Sequence, residues 1–374
     1  MKRFYIRSLL FLLPVILLVA VPSWVLFSAR ENFNDIDAVI RKGDKCLMGY
    51  AYNENNYGYI KWKALNSRDR YTVVALGSSR VLELRSNMFD SSFYNAGYTI
   101  TSLNQFVPFL QGIPEEKYPR YLIVSLDQWL FNAGWDSLTT LPEKDKWSGS
   151  FTSIPEQTTL VSVWKDLYAG KYSFFLPRKK GDTRYIGLNA VVEGTGFRQD
   201  GSALYGKQVR KLLADDSTAM DYHFNETFGW IDKGAMRFNY GGQVNKKALE
   251  ELERLLQFCQ AHGIRLIAFL PPYADRVNEK MRATGRYAYL DSIYPLSLPL
   301  FRQYNAELYD LSSLASVGSN DSEAVDGFHG GEVTYLRMLI KMLESGSVLN
   351  NVTSLERLRR DVAHPVSRYA VYPE

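Results

Sequence analysis

Cysteine and histidine are scarce in this 374-residue chain, which has two Cys (Cys46 and Cys259) and four His. Neither type recurs at metal-site spacing, and neither a metal nor a cofactor is expected. The two thiols leave two states open. An exported location permits a disulfide between them. Cys259, however, shares a helical apolar face with Leu252, Leu255 and Leu256, where a buried free thiol fits equally well. A dominant charge is missing too. The 44 basic and 40 acidic residues are mixed along the chain and leave a net charge of +4. No basic block carries interleaved aromatics, which argues against nucleic acid as a partner. No internal repeat is visible.

Aromatic residues are abundant by contrast, at 14% with 25 Tyr and 7 Trp. They suit amphipathic clefts or a membrane-facing surface, and an ordinary core as well. With 46% apolar residues, a chain of this length can bury one large core or two ordinary ones.

One uncharged run stands out, from Ser8 to Ser28, mostly Leu, Val, Phe and Ile. At about 1.5 Å per helical residue it is long enough for a bilayer core of about 30 Å. Lys2, Arg3 and Arg7 precede it, which places residues 1–7 in the cytoplasm and the rest outside. A cleaved signal peptide is the rival reading, but the run is long for a signal core and no A-x-A-like site follows. Pro14 and Pro22 are tolerable within a span. Residues 8–28 are thus read as an uncleaved anchor in a bacterial cytoplasmic membrane, with the domain on the extracytoplasmic side.

Residues 29–70 are polar and rich in Asn and Tyr, and read as a juxtamembrane segment. An α/β pattern then covers 71–345. Strands are expected at Tyr71–Leu76, Ser91–Gly97, Arg120–Leu126, Ile264–Leu270 and Glu307–Leu311. Helices are expected at Thr99–Gln111, Asn245–Ala261, around Tyr287–Tyr294 and at Glu332–Leu343, with a helical stretch after Ser79. From about 131 to 242 the periodicity fades. That is too long for a structureless loop, so an inserted cap or substrate-binding subregion is expected, helical near Leu160–Leu167 and Gly206–Leu213. Residues 346–374 read as a tail. The fold class is α/β, a three-layer sandwich with a mostly parallel central sheet.

The chemistry-bearing stretch is Gly77-Ser78-Ser79-Arg80, directly after the first strand of that pattern. Open α/β sheets place their chemistry at the C-terminal tips of strands. A serine hydroxyl needs a base to take its proton, and His329 is the natural choice. Asp326, three residues earlier in a glycine-rich loop, can orient the imidazole and stabilise its protonated form. Taken singly, Gly-Ser-Ser is most often a turn and Asp-x-x-His a helix cap. Together, after the first strand and before the last helix, they read as a catalytic set. His262 sits at a helix end, and His223 and His364 lie in irregular stretches; these three read as structural or surface residues.

The strand, Gly77-Ser78-Ser79, Asn95-Ala96-Gly97, the third strand tip and the late Asp326-x-x-His329 together resemble the SGNH/GDSL hydrolase superfamily, over roughly residues 71–130 and 245–345. Gly77-Ser78-Ser79-Arg80 and Ser125-Leu126-Asp127-Gln128-Trp129 look most like its membrane-anchored branch, which includes the DltD proteins of teichoic acid D-alanylation and the alginate O-acetylation proteins. The resemblance implies Ser79 as nucleophile, Asp326 and His329 as its partners, and the Ser79 and Gly97 N–H groups as oxyanion donors. One departure stands out. The superfamily's third block carries an Asn that completes the oxyanion hole, whereas Ser125-Leu126-Asp127-Gln128 has none. The Gln128 amide is the available substitute.

The resemblance also implies an extracytoplasmic serine acyltransferase or esterase. It would act on O-acyl groups of a cell-envelope polysaccharide through an acyl-Ser79 intermediate. A glycan or acyl carrier would be the substrate and a membrane-bound O-acyltransferase the partner. The alternative is a non-catalytic SGNH-like glycan-binding or assembly platform beside such an acyltransferase. A secreted lipase would leave the anchor without purpose.

Overall fold

The computed structural model describes residues 2–43, 45–140, 142, 146–149, 154–177, 181 and 183–373. Nine strands form among them: Cys46–Met48 (β1), Val73–Leu76 (β2), Phe93–Ala96 (β3), Tyr121–Ser125 (β4), Arg184–Ile186 (β5), Gly196–Arg198 (β6), Ala203–Leu204 (β7), Arg265–Leu270 (β8) and Glu307–Asp310 (β9). The chain divides into two units. One comprises residues 1–57, 150–199 and 204–207, and the other 58–149, 200–203 and 208–374.

The first unit begins with the helix Lys2–Ser28. Its stretch Phe11–Ser28 is long and apolar enough to cross a membrane. The last turns differ from the rest. Val25, Leu26 and Ala29 are fully buried, in a cluster with Val163 and Leu188. The helix Gln157–Tyr168 packs along this end, and the Trp164 indole donates to the Leu18 carbonyl at 2.8 Å. Just past the helix, the buried Glu31 carboxylate accepts from the N–H groups of Tyr52 (2.8 Å) and Leu188 (2.7 Å), tying three segments together. Residues 29–57 are therefore more than a polar lead-in. β1 pairs parallel with β5 and antiparallel with β6, in a sheet of order β5-β1-β6-β7. Gly49 is required there, since a Cβ would lie 1.9 Å from the Thr195 carbonyl oxygen.

The second unit is built on five parallel strands in the order β3-β2-β4-β8-β9. Both faces of this sheet are covered. Val73, Ala75, Ile123, Ile267 and Phe269 pack against Val333, Leu336 and Leu339 of the helix Glu332–Glu344. The intervening Val74, Leu76, Leu122, Val124 and Ala268 are equally buried. Near-continuous apolar strands with both faces occupied fit a three-layer sandwich. Counted from β2, the order is 2-1-3-4-5, whose switch point lies between β2 and β4.

Several elements differ from expectation for identifiable reasons. No α-helix follows Ser79. Asn95 Nδ2 captures the Val81 and Leu84 carbonyls at 2.7 and 2.8 Å, leaving only a 3₁₀ turn, Ser79–Val81. The helix expected from Thr99 starts at Phe106, because Thr99 and Ile100 donate their N–H groups back to the Gly77 carbonyl. The helix near Tyr287 runs from Leu290 to Gln303 despite Pro295 and Pro299. The stretch 131–242 is not one insert. Its 150–199 part belongs to the first unit, and 208–242 to the second. The expected tail is folded over residues 346–373: the helix Leu355–Ala363 buries Leu358, and Glu332 accepts from the Val371 and Tyr372 N–H groups at 2.7 and 3.0 Å. Cys46 and Cys259 are both buried, and no disulfide joins them.

Candidate active site

The tip of β2 is shaped for close approach. A Cβ at Gly77 would lie 2.9 Å from Ser125 Oγ on β4, so glycine lets the chain leave the sheet here. Ser78 Oγ then accepts from the Arg80 N–H at 3.1 Å and turns Ser79 outward at the switch point. His329 Nε2 lies 2.7 Å from Ser79 Oγ, and His329 Nδ1 lies 2.7 Å from Asp326 Oδ2. Asp326 Oδ1 accepts the N–H groups of Phe328 and His329 at 2.9 and 2.8 Å, so the carboxylate caps its own turn. Burial is the largest influence on Asp326 and pushes its carboxyl up. The adjacent His329 and the three hydrogen bonds outweigh it and hold the group below the usual carboxylate value. The structure thus brings Ser79, His329 and Asp326 into one hydrogen-bonded line, with the base within reach of the hydroxyl proton.

The loop carrying Asp326 and His329 is held from outside. The Gly327 N–H donates to Asp221 Oδ2 at 2.9 Å, and Asp221 also takes the Thr227 hydroxyl at 2.6 Å and the Thr227 N–H at 3.0 Å. The Gly327 carbonyl receives the Ala274 N–H at 3.0 Å. Asp221 lies in the irregular stretch where no site residue was expected. It has φ +50°, and His223 and Phe224 follow at +55° and +67°, so strained backbone backs the candidate base.

The expected oxyanion donors fare differently. Among the described residues the Ser79 N–H has no partner. The Gly97 N–H, however, donates to Asn95 Oδ1 at 2.9 Å. Gly97 is needed for space, since a Cβ would sit 2.6 Å from Val81 Cγ2. Gln128 is buried and its amide is committed at both ends. Oε1 accepts from Arg80 at 2.8 Å, and Nε2 donates to the Pro271 carbonyl at 2.7 Å. The structure does not bring the Gln128 amide to Ser79 as a donor. It spends that amide on Arg80.

Arg80 itself is fully buried. Its guanidinium bonds the Pro272 carbonyl and stacks over Trp129 at 5.2 Å and Tyr273 at 4.7 Å, while its own carbonyl accepts from the Tyr335 hydroxyl at 2.7 Å. It links the chain beyond β2 to the segments that follow β4 and β8. Beside it, Asp127 is fully buried and accepts from Ser125 Oγ at 2.9 Å. Burial pushes its carboxyl up, against the pull of the Arg80 charge.

No group of three His, Cys, Asp or Glu able to hold a metal occurs among the described residues. The first unit carries a separate cleft of about 590 Å³, lined by Trp24, Arg30, Phe175 and Arg184, with no serine–histidine pair. No protein-family model matches the chain, and no curated protein matches it.

Proposed function

We propose that this chain is a membrane-anchored serine acyltransferase or esterase of the SGNH type, acting on O-acyl groups of a cell-envelope polysaccharide. One observation carries the reading. Ser79, His329 and Asp326 are joined by two 2.7 Å contacts at the switch point of a parallel sheet. In the proposed reaction Ser79 Oγ attacks the acyl carbonyl and passes its proton to His329 Nε2. The Ser79 N–H receives the oxyanion. Collapse breaks the ester C–O bond, and the departing alkoxide takes the proton back from His329. A water or a sugar hydroxyl, deprotonated by His329, then attacks the acyl carbonyl; the Ser79 Oγ–C bond breaks and Ser79 Oγ takes the proton back from His329.

The N-terminal helix supports an anchor that is retained. Removing it would strip Val25 and Leu26 from a buried cluster, which a removable leader does not supply. Its apolar length supports a single membrane pass, and the basic Lys2, Arg3 and Arg7 before it support an extracytoplasmic α/β unit. A membrane-bound O-acyltransferase beside it is the partner this reading implies.

A fluorophosphonate probe tests the proposal. Incubation of the full-length protein in detergent micelles should phosphonylate Ser79, detected by intact mass and peptide mapping, and the Ser79→Ala chain should stay unlabelled. Absence of labelling in folded protein would sink it. The rival reading, a non-catalytic glycan platform, draws on the Gly97 and Gln128 contacts. Each missing oxyanion donor typically costs about 10²–10³ in rate. Full rescue of a deletion strain by Ser79→Ala would favour that platform.

A further inference from the structure

Arg237 is a cation near the candidate triad, with no counterion among the described residues. It lies in the short turn Met236–Phe238, which is pinned at its far end: Phe238 is fully buried against Tyr273 and Phe328, and the Phe238 carbonyl accepts from the Tyr287 hydroxyl at 2.8 Å. Met236, just before it, is 52% exposed with φ +56°, a left-handed conformation that methionine adopts at a cost. This turn combines left-handed backbone with an apolar side chain in solvent. It presents Arg237.

The guanidinium is partly exposed and lies 5.1 Å from the Phe328 ring centre and 5.6 Å from that of Trp129. The Phe328 ring is in turn 4.4 Å from the His329 ring. Among the described residues, no carboxylate, carbonyl or hydroxyl bonds the Arg237 side chain, whose contacts are the two aromatic rings. Stacking on ring faces satisfies the π surface of a guanidinium and leaves its in-plane N–H donors unspent. Arg80 shows the contrast: it also stacks on Trp129, but it spends donors on Gln128 and Pro272. Those unspent donors form a planar fork suited to carboxylate or phosphate. Its place, one ring removed from the base, suits an anion a few bonds away from the reacting ester better than the oxyanion itself.

We propose that Arg237 is a substrate-binding residue that selects esters carrying an anionic group near the scissile bond. The assignment rests on the acyl-Ser79 reading and adds a substrate class to it. The anion can belong to the acyl group or to the alcohol, and paired probes separate the two. On the acyl side, the full-length protein is assayed with umbelliferyl hemisuccinate against its neutral methyl ester. On the alcohol side, methyl O-acetyl-glucuronate is compared with methyl O-acetyl-glucoside.

The expected result is a preference of about tenfold or more in kcat/KM for the acid in one pair, carried mainly by KM and falling as salt is raised. Arg237→Met should abolish that ratio and Arg237→Lys retain part of it, while Arg254→Met, on an exposed helix surface, leaves it unchanged. A ratio near one in both pairs, or a preference that survives Arg237→Met, overturns the proposal. Calorimetry on the Ser79→Ala chain, alone and with Arg237→Met, reads the same contact without turnover. Arg237-dependent binding of the acid there, together with no phosphonylation of wild-type Ser79, would leave this assignment standing and remove the catalytic one.

Discussion

Asp221 Oδ2 accepts the N–H of Gly327 at 2.9 Å, across 106 residues of sequence, and so holds the loop that carries Asp326 and His329. The same carboxylate ties down Thr227, whose side chain packs so close to Gly327 that a Cβ there would lie 2.6 Å from Thr227 Oγ1. Asp221→Ala removes the acceptor for a charge-assisted bond and puts alanine at φ +50°. Thermal unfolding should report a loss of roughly 1–3 kcal/mol. Phosphonylation of Ser79 should slow by about 10-fold to 10²-fold as His329 loosens. Asp221→Asn keeps an acceptor and tolerates the left-handed backbone, so its effect on both should be smaller.

Gln128 gives a sharper division between two roles. As a brace for Arg80 it should matter to folding. Gln128→Leu should cost roughly 1.5–3 kcal/mol in urea unfolding, the typical value of a bond to a charged group, and leave the turnover of the folded fraction within a few-fold. If the amide were an oxyanion donor, stability would change little and kcat would fall by about 10²–10³.

Lys61 offers a pH signature. It is fully buried, donates to the Asn95 carbonyl at 2.9 Å and to the Gly201 carbonyl, and desolvation lowers its ammonium to about 7. Between pH 7 and the lysine's unfolded value the unfolded chain binds more protons, so this group makes stability rise with pH, by at most about 1.4 kcal/mol per unit. Above about pH 8.5 the Cys259 thiol, which burial pushes up to about 12, acts in the opposite sense. Denaturant midpoints of wild type and Lys61→Met from pH 7 to 8.5 should therefore diverge, with wild type gaining on the variant as pH rises. Parallel curves would contradict this.

The N-terminal helix should behave as two parts. Leu26 is fully buried and Leu17 is 48% exposed. Leu26→Ala should destabilise the first unit by about 2–5 kcal/mol, read by limited proteolysis in micelles, whereas Leu17→Ala should be near neutral.

How much of this was legible in the sequence depends on how locally each feature is encoded. β2, β4 and β8 are apolar, β-branched runs between turn residues, and the helix Lys246–Ala261 carries its Asn245 cap and one apolar face, so these read directly. Ser79, Asp326 and His329 stood out because few residue types do that chemistry and each lies where a strand ends or a helix begins. The small sheet did not read, because β1 has three residues and its partner β5 follows 138 positions later. Asp221 and Arg237 sit on left-handed or strained turns, where no periodicity marks a functional side chain. The fate of Gln128 depended on Arg80 folding inward instead of outward, a choice made by Trp129, Tyr273 and Pro272 together.

The central claim is that Ser79 carries the acyl group. Its most direct test is to mix the full-length protein with an activated aryl acetate, quench in acid within a turnover, and map the peptide that contains Ser79 by mass spectrometry. The account predicts an acetyl group on Ser79, lost on longer incubation, absent in Ser79→Ala and strongly reduced in His329→Ala. Acetyl absent from Ser79 in folded wild-type protein, or equal acetylation of the Ser79→Ala chain at another residue, would contradict it.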